Sequence, residues 1–498
     1  MKLSRESDEE TEPVQPDKLH DSCGVLGILC DNPSYNVSKY IYTGLMALQH
    51  RGQEAAGIAV TNRFDSITCY KNVGLVNDVL KPEKIMGLLG NVALGHVRYG
   101  TVASSAVECA QPLLFESNEV NFSIVFNGTI TNYATLRKKL EEKGHVFITE
   151  VDTEVIAHLI AATHAATENW VEIFTVLMKI LDGSYSIVVM TEEGDIYGVR
   201  DPLGFKPLCY GEFITGGDEE IKVRVIASET CAINALSGKI LGHVQPGQIV
   251  HMEMENPIHS EAIEKSPNRA FCQFEFVYFA NAASELDGIS VYDVRKRLGA
   301  SLARIAPFKS ENAIVVPVPD SGRSAALGYA EESGIPFEEA LMKNRYITRT
   351  FIMPGQDKRR SLVNLKLFPV RNKIEGKDII LIDDSIVRGT TMIKIVKLLK
   401  AFGANSVHLR ISCPPVRYPC YMGIDFPTRR ELIAANHAVE EIREIIGADS
   451  LAYQTMEGLI ESIGLPSNYL CKACLDKKYP LKNPPALELL EETFTQNR

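Results

Sequence analysis

The stretch DIILIDDSIVRGTT, Asp378 to Thr391, reads as a strand that delivers a loop. Ile379 to Ile382 is an apolar run of the length expected for a strand covered on both faces. Two carboxylates, Asp383 and Asp384, stand at its carboxyl end, and Ser385, Arg388, Gly389, Thr390 and Thr391 then offer backbone N–H groups, hydroxyls and one guanidinium to an anion. Beyond them Met392, Ile395, Val396, Leu399 and Phe402 recur at helical spacing, with Lys394, Lys397 and Lys400 on the other face and Gly403 as a stop. An anion held by this turn therefore meets a helix N-terminus.

The guest that suits both the acids and the turn is a phosphorylated ribose. The order apolar strand, Asp-Asp, three residues, then x-Gly-x-Thr resembles the diphosphoribose-binding signature of type I phosphoribosyltransferases, an α/β fold. The resemblance implies that Asp383 and Asp384 contact the ribose hydroxyls and that Ser385, Arg388, Gly389, Thr390 and Thr391 hold the 5′-phosphate. A second strand-and-loop unit precedes it: Ala313 to Pro319 is another buried run, followed by AspSerGlyArgSer at 320 to 324 and a helix through Tyr329. In the resembled family this loop lies beside diphosphate and metal, so Ser321, with Asp383 and Asp384, is implied to contact Mg²⁺.

The chain is long enough for two or three domains, at 498 residues with 45% hydrophobic content. Its 63 acids against 52 bases give a formal charge of -11, which argues against nucleic acid as main partner. No apolar run approaches the roughly 18 residues of a membrane span, and the acidic opening MKLSRESDEETEPVQPDKLHDS lacks the apolar centre of a secretory signal. A cytoplasmic protein is expected, without a membrane partner. Its 11 cysteines are scattered and odd in number, which suggests thiols and metal rather than a disulfide framework.

Residues 1 to 22 have the composition of a disordered leader. The character changes at Cys23, which opens the apolar strand CGVLGIL, and separated blocks follow: Gly44 to Val60, Leu94 to Thr101 (LGHVRYGT), Ile124 to Asn132 (IVFNGTITN), and ValAspThrGlu at 151 to 154, where Asp152 stands near a helix N-cap. Together they resemble the glutamine amidohydrolase domain of the N-terminal-nucleophile class, an α+β αββα sandwich. A cysteine at a chain start carries its own base, because an α-amino group titrates near neutrality. The resemblance implies removal of residues 1–22. It makes Cys23 the nucleophile and builds the oxyanion hole from the Asn127 side chain and the Gly128 N–H. Arg98 would then pair with the α-carboxylate of glutamine and Asp152 with its α-ammonium. Phe126, Thr129 and Gly100 depart from the usual blocks, as does Lys206 in ArgAspProLeuGlyPheLysPro at 200 to 207, where arginine is usual; this last block carries only a structural expectation. Strands are expected from Tyr185 to about Glu255.

The polar stretch Asn256 to Arg269 marks the expected boundary between a glutaminase domain, 23–257, and a transferase domain, 258–498. Cys272 to Asn281 is dense in aromatics, read as core or interdomain packing. Lys343 to Arg371 is long, basic and broken by proline and glycine, so a lid that orders over an anionic substrate is expected. Arg349, Phe351 and Lys366 match lid positions of the glutamine phosphoribosyldiphosphate amidotransferase family, which joins these two domains in this order. That family makes 5-phosphoribosylamine from glutamine and 5-phosphoribosyl 1-diphosphate, opening purine synthesis. The resemblance further implies purine nucleotide feedback inhibitors and a homotetramer. Cys471-Lys-Ala-Cys474 has metal-ligand spacing but supplies only two thiolates; Cys272, Cys413 and Cys420 are candidates for the rest, and zinc and iron–sulfur both suit four thiolates. By resemblance to the cluster-bearing branch, Cys272, Cys420, Cys471 and Cys474 would hold a [4Fe-4S] cluster. Two other readings compete: an amidotransferase that makes an amino sugar or asparagine, against which the Asp383–Thr391 signature speaks, and a non-catalytic binder of phosphoribosyl diphosphate, against which the set Cys23, Arg98, Asn127 and Asp152 speaks.

Overall fold

The computed structural model describes residues 23–63, 66–99, 107–217, 219–263, 269–344, 367–424, 426 and 428–481. Residues 1–22 and the lid positions Arg349, Phe351 and Lys366 lie outside them.

The first half is two antiparallel sheets face to face. A seven-stranded sheet runs in the order Lys239–His243, Cys209–Thr215, Ile221–Ala227, Gly24–Cys30, Val92–Arg98, Ala55–Thr61, Thr68–Val73. A six-stranded sheet runs His259–Ala262, Gln248–Met252, Ile196–Arg200, Gly183–Thr191, Asn121–Ile130, Leu113–Glu116. Side chains alternate between faces along each strand, and the cores follow that period. Val25, Leu29, Val92, Leu94, Val125, Val188 and Met190 fill the space between the sheets. Leu26 and Ile28 turn instead to Ile41 and Leu45 of the helix Ser38–Ala47. Phe122, Ile124 and Phe126 turn to the helices Asp152–His164 and Trp170–Ile180. Helices outside two sheets complete the expected αββα sandwich.

The second half is built on a parallel sheet in the order Ala313–Pro317, Asp378–Asp383, Ser406–Ile411, Ser450–Tyr453. The Asp378–Asp383 strand is central and its apolar residues serve both faces, which is why the sequence there is continuous rather than alternating. Ile380 and Ile382 pack with the helices Val291–Ile305 and Arg323–Ser333, while Ile379 and Leu381 pack with Thr390–Ala401 and Val439–Ile446. Of the expected lid, the ends Leu341–Lys343 and Leu367–Pro369 pair as an antiparallel ribbon.

One expectation shifts. The polar stretch read as the interdomain boundary contains the strand His259–Ala262, which pairs with Gln248–Met252 at the edge of the six-stranded sheet. All four of its residues are exposed, so it carries no apolar pattern that a sequence reading detects.

Candidate active site

The glutaminase residues converge by sheet register. Cys23 precedes the strand Gly24–Cys30, whose neighbour Val92–Arg98 places Val97 opposite Gly24. Arg98, two and four residues beyond His96 and Leu94, shares their face toward the opposite sheet. His96 closes the gap, with Nε2 3.1 Å from the Phe126 carbonyl. Burial pushes its pKa down to about 3, so it is a neutral hydrogen-bonding strut. The next residue of that strand is Asn127, on the same inter-sheet face as Val125. Asn127 is fully buried, and neither atom of its amide has a hydrogen-bond partner among the described residues. A buried amide is costly when unmet, so a group that supplies a partner is rewarded for binding there. Gly128 beside it has φ +159, and a Cβ there would stand 2.0 Å from the Ser184 carbonyl; only glycine fits this close crossing.

Cys23 retains solvent contact and its Sγ lies 3.9 Å from the Tyr99 carbonyl. Burial pushes the thiol pKa up; the Tyr99 contact, Arg98 and Lys206 pull it back, and Asp152 raises it. These charges therefore act on one sulfur. Asp152 begins its helix rather than capping it, Val151 being the cap, and its carboxylate accepts from the Ile130 N–H at 3.2 Å. Burial raises its pKa to about 6, against the pull of that bond and of Arg98.

Of the expected transferase residues, Asp383, Asp384, Ser385, Gly389 and Thr391 line a cleft at the carboxyl ends of the parallel strands, where ligands of open α/β sheets bind. Tyr278, Val318, Asp383, Asp384, Ser385 and Thr391 are among its walls. Ser321 and Ser385 both donate to the Asp384 carboxylate, Ser385 at 2.8 Å. Asp383 accepts from the Asp384 N–H at 3.0 Å. Gly389 has φ +84 and leads directly into the helix Thr390–Ala401, which aims a helix N-terminus at the cleft. Arg388 forms an ion pair with Glu431, Nη2 to Oε1 3.0 Å. Its guanidinium is thus steadied by a residue 43 positions along the chain.

Five cysteines share the core where chain tail and linker touch. Phe271–Cys272 pairs in parallel with Leu470–Cys471, setting Cys272 beside Cys471. Gln273 Nε2 donates to Cys474 Sγ at 3.7 Å, and the Arg417 N–H reaches the Cys474 carbonyl at 2.9 Å. Cys420 packs against the same core, its Sγ accepting from the Met422 N–H at 3.3 Å. Cys413 belongs to this core as well. All are free thiols. Among the described residues no group of three or more His, Cys, Asp or Glu converges closely enough to hold a metal ion.

A buried charge network that the sequence did not reveal joins the halves. Arg51, fully buried, binds Glu229 through Nε and Glu275 through Nη2, the latter at 2.6 Å. His50 reaches Glu229 at 2.7 Å, and Lys206 lies 3.8 Å from Glu275. Despite the opposing cost of burial, Arg51 and His50 hold Glu229 well below the usual carboxylate range. Glu275 opens a π-helical turn, Glu275–Phe279, that also carries Tyr278 to the transferase cleft. Such turns recur at functional sites. The signal in the sequence was the aromatic density of this segment, without its acid.

Comparison with known proteins agrees with this geometry. A family described as a glutamine amidotransferase domain matches residues 99–235, and one described as a phosphoribosyl transferase domain matches residues 292–419. The amidophosphoribosyltransferase of Methanothermobacter thermautotrophicus is 45% identical over 469 residues, covering 94% of this chain and 96% of that protein. That of Bacillus subtilis is 42% identical over 468 residues, covering 93% and 94%. The solved structure of the B. subtilis glutamine phosphoribosylpyrophosphate amidotransferase complexed with ADP and GMP superposes with a TM-score of 0.83 at 40% identity, covering 92% of this chain and 98% of that one. Two domains in this order and relatives of this identity along nearly the whole length place the chain in the amidophosphoribosyltransferase family.

Proposed function

We propose that the chain performs the family's reaction with a strict division of labour between the residues described above. Once residues 1–22 are removed, the Cys23 α-amine takes the thiol proton and Sγ attacks the glutamine carboxamide. The negative charge formed on the carbonyl oxygen is received by the Asn127 side chain and the Gly128 N–H, while Arg98 and Asp152 hold the two ends of the amino acid. Ammonia leaves, and water releases glutamate from the thioester. The observation that carries this reading is the fully buried Asn127 amide with both atoms unmet, on the inter-sheet face toward which Arg98 also turns.

In the second half, Asp383 and Asp384 orient the ribose hydroxyls, and Ser385 to Thr391 with the helix N-terminus hold the 5′-phosphate. Ammonia then displaces diphosphate from the anomeric carbon, giving 5-phosphoribosylamine, and positioning supplies much of the rate. The acids and the Ser321 hydroxyl are hard oxygen donors that suit Mg²⁺, which when bound neutralises charge on the leaving diphosphate. Arg349 and Lys366 complete the basic surroundings of the substrate. The four thiols Cys272, Cys420, Cys471 and Cys474 suit a [4Fe-4S] cluster that fastens tail to linker. Cys272 and Cys471 are partners in the parallel ladder and Cys420 and Cys474 pack in the same core, a set of four thiolates that such a cluster would take. Purine nucleotides inhibit the enzyme, consistent with the nucleotides in the B. subtilis structure. The assembly is a homotetramer and works in the cytoplasm.

The test compares glutamine with free ammonia as nitrogen donor in the wild type and Cys23→Ala. Selective loss of the glutamine reaction is expected; equal loss of both reactions refutes the division of labour.

A further inference from the structure

The block Arg200 to Pro207 takes no part in the reaction as described, yet Lys206 within it is fully buried and its Nζ has no hydrogen-bond partner among the described residues. Its ion pair with Glu275, at 3.8 Å, is beyond hydrogen-bond reach, and that carboxylate is already taken by Arg51 at 2.6 Å. The backbone of Lys206 is fixed beside the glutaminase site. Its carbonyl accepts from Arg200 Nε at 2.8 Å and from Ser186 Oγ at 3.4 Å. Ser186 stands directly across the ladder from Asn127, so the two share the face turned toward the opposite sheet. An ammonium with three donors, buried and underpaired, is expensive, and a negative charge that forms within its reach relieves that cost.

We propose that Lys206 is a positioning residue of the glutamine half-reaction, its buried ammonium stabilising the Cys23 thiolate and the oxyanion that follows. This rests on the reading of Cys23 as nucleophile. Arg98 from its strand, Asp152 from its helix and Lys206 from its loop each act on the charge of the sulfur, with the freed α-amine added on maturation, and Lys206 acts on the buried Cys272 thiol as well. When glutamine binds, its carboxylate neutralises Arg98 and its ammonium neutralises Asp152. Lys206 is then the side-chain cation whose field still acts on the sulfur. It neither gives nor takes a proton: the thiol proton passes to the α-amine, and Lys206 supplies only the field.

The experiment follows alkylation of Cys23 by iodoacetamide against pH in the matured enzyme, read by mass spectrometry of the Cys23 peptide. Lys206→Met is expected to raise the midpoint by about one pH unit, as loss of a nearby buried cation does. Lys206→Arg restores it. Glu275→Gln, which removes the carboxylate opposing Lys206, lowers the midpoint, an opposite sign that a purely structural role does not produce. The rate of glutamine hydrolysis at pH 7 falls about tenfold in Lys206→Met, matching one unit of thiol pKa. A Lys206→Met profile that superimposes on the wild type overturns the proposal, as does an unchanged or raised midpoint in Glu275→Gln should Lys206→Met fail to fold. Failure of the parent reading shows differently, as full glutamine-dependent activity in Cys23→Ala.

Discussion

The glutaminase and transferase halves both hold small charged substrates, with opposite architecture. In the first, Arg98 and Asn127 project from central strands into the space between two sheets, and their positions are ladder positions. In the second, Asp383 to Thr391 lie outside the strand ends, on a turn that opens a helix and faces a cleft. A site built from register cannot adjust when one side chain is lost, whereas a turn presents several interchangeable backbone N–H groups. The first site is also braced by buried charge through Arg51, Glu229 and Glu275. The described cleft of the second leans on hydroxyl-to-carboxylate bonds around Asp384.

The comparison breaks most severely at Arg51. Replacing it with methionine leaves Glu229 and Glu275 buried without their shared cation, which costs about 3–5 kcal/mol for a buried pair deprived of one partner. Thermal unfolding is expected to move down sharply, with the glutamine reaction failing first; a melting temperature within a degree or two of the wild type would show the network to be idle. Asn127→Ala tests the rigid site at its chemistry. Loss of one oxyanion donor costs about 10²–10³ in kcat for glutamine hydrolysis, with the ammonia-dependent reaction kept. Asp384→Asn tests the other half and should spare glutamine hydrolysis while lowering synthesis from either donor by about a hundredfold, the worth of two hydrogen bonds to a charged group. Steady-state rates with both donors distinguish the two variants, and a variant that fails in both columns blurs the contrast between the halves.

The two sites were also unequally legible. Strand, acid pair, turn and helix of the transferase site lie within one short contiguous stretch, so local pattern alone places them at the right strand end. The glutaminase site is assembled by antiparallel pairing of distant segments, and its residues were gathered only by their likeness to known blocks. Arg51 was invisible for the same reason taken further: its partners Glu229 and Glu275 are 178 and 224 residues away, and charged residues in a sequence read as surface. The ion pair of Arg388 with Glu431, 43 residues on, was hidden likewise, because it depends on how the segment after the sheet returns. The edge strand His259–Ala262 had no apolar face to betray it.

The smallest effect sharpens the comparison at Asp152. Its carboxyl is raised by burial to about 6 in the free site, so near neutrality it is charged and able to receive the glutamine ammonium. As pH falls through about 6 the carboxylate gains a proton and that attraction is lost. KM for glutamine should therefore double near this pH and rise about tenfold for each further unit of acid, with kcat following the thiol and amine instead. Bound glutamine favours the charged form, so the limb seen at saturation should lie lower than that of kcat/KM. Asp152→Asn should remove the limb and leave a uniformly high KM, whereas synthesis from ammonia, which never visits this carboxylate, should show no such limb. If the ammonia reaction carries the same acid limb as the glutamine reaction, the titrating group belongs to the transferase cleft and the separation of the two sites is less complete than their architecture implies.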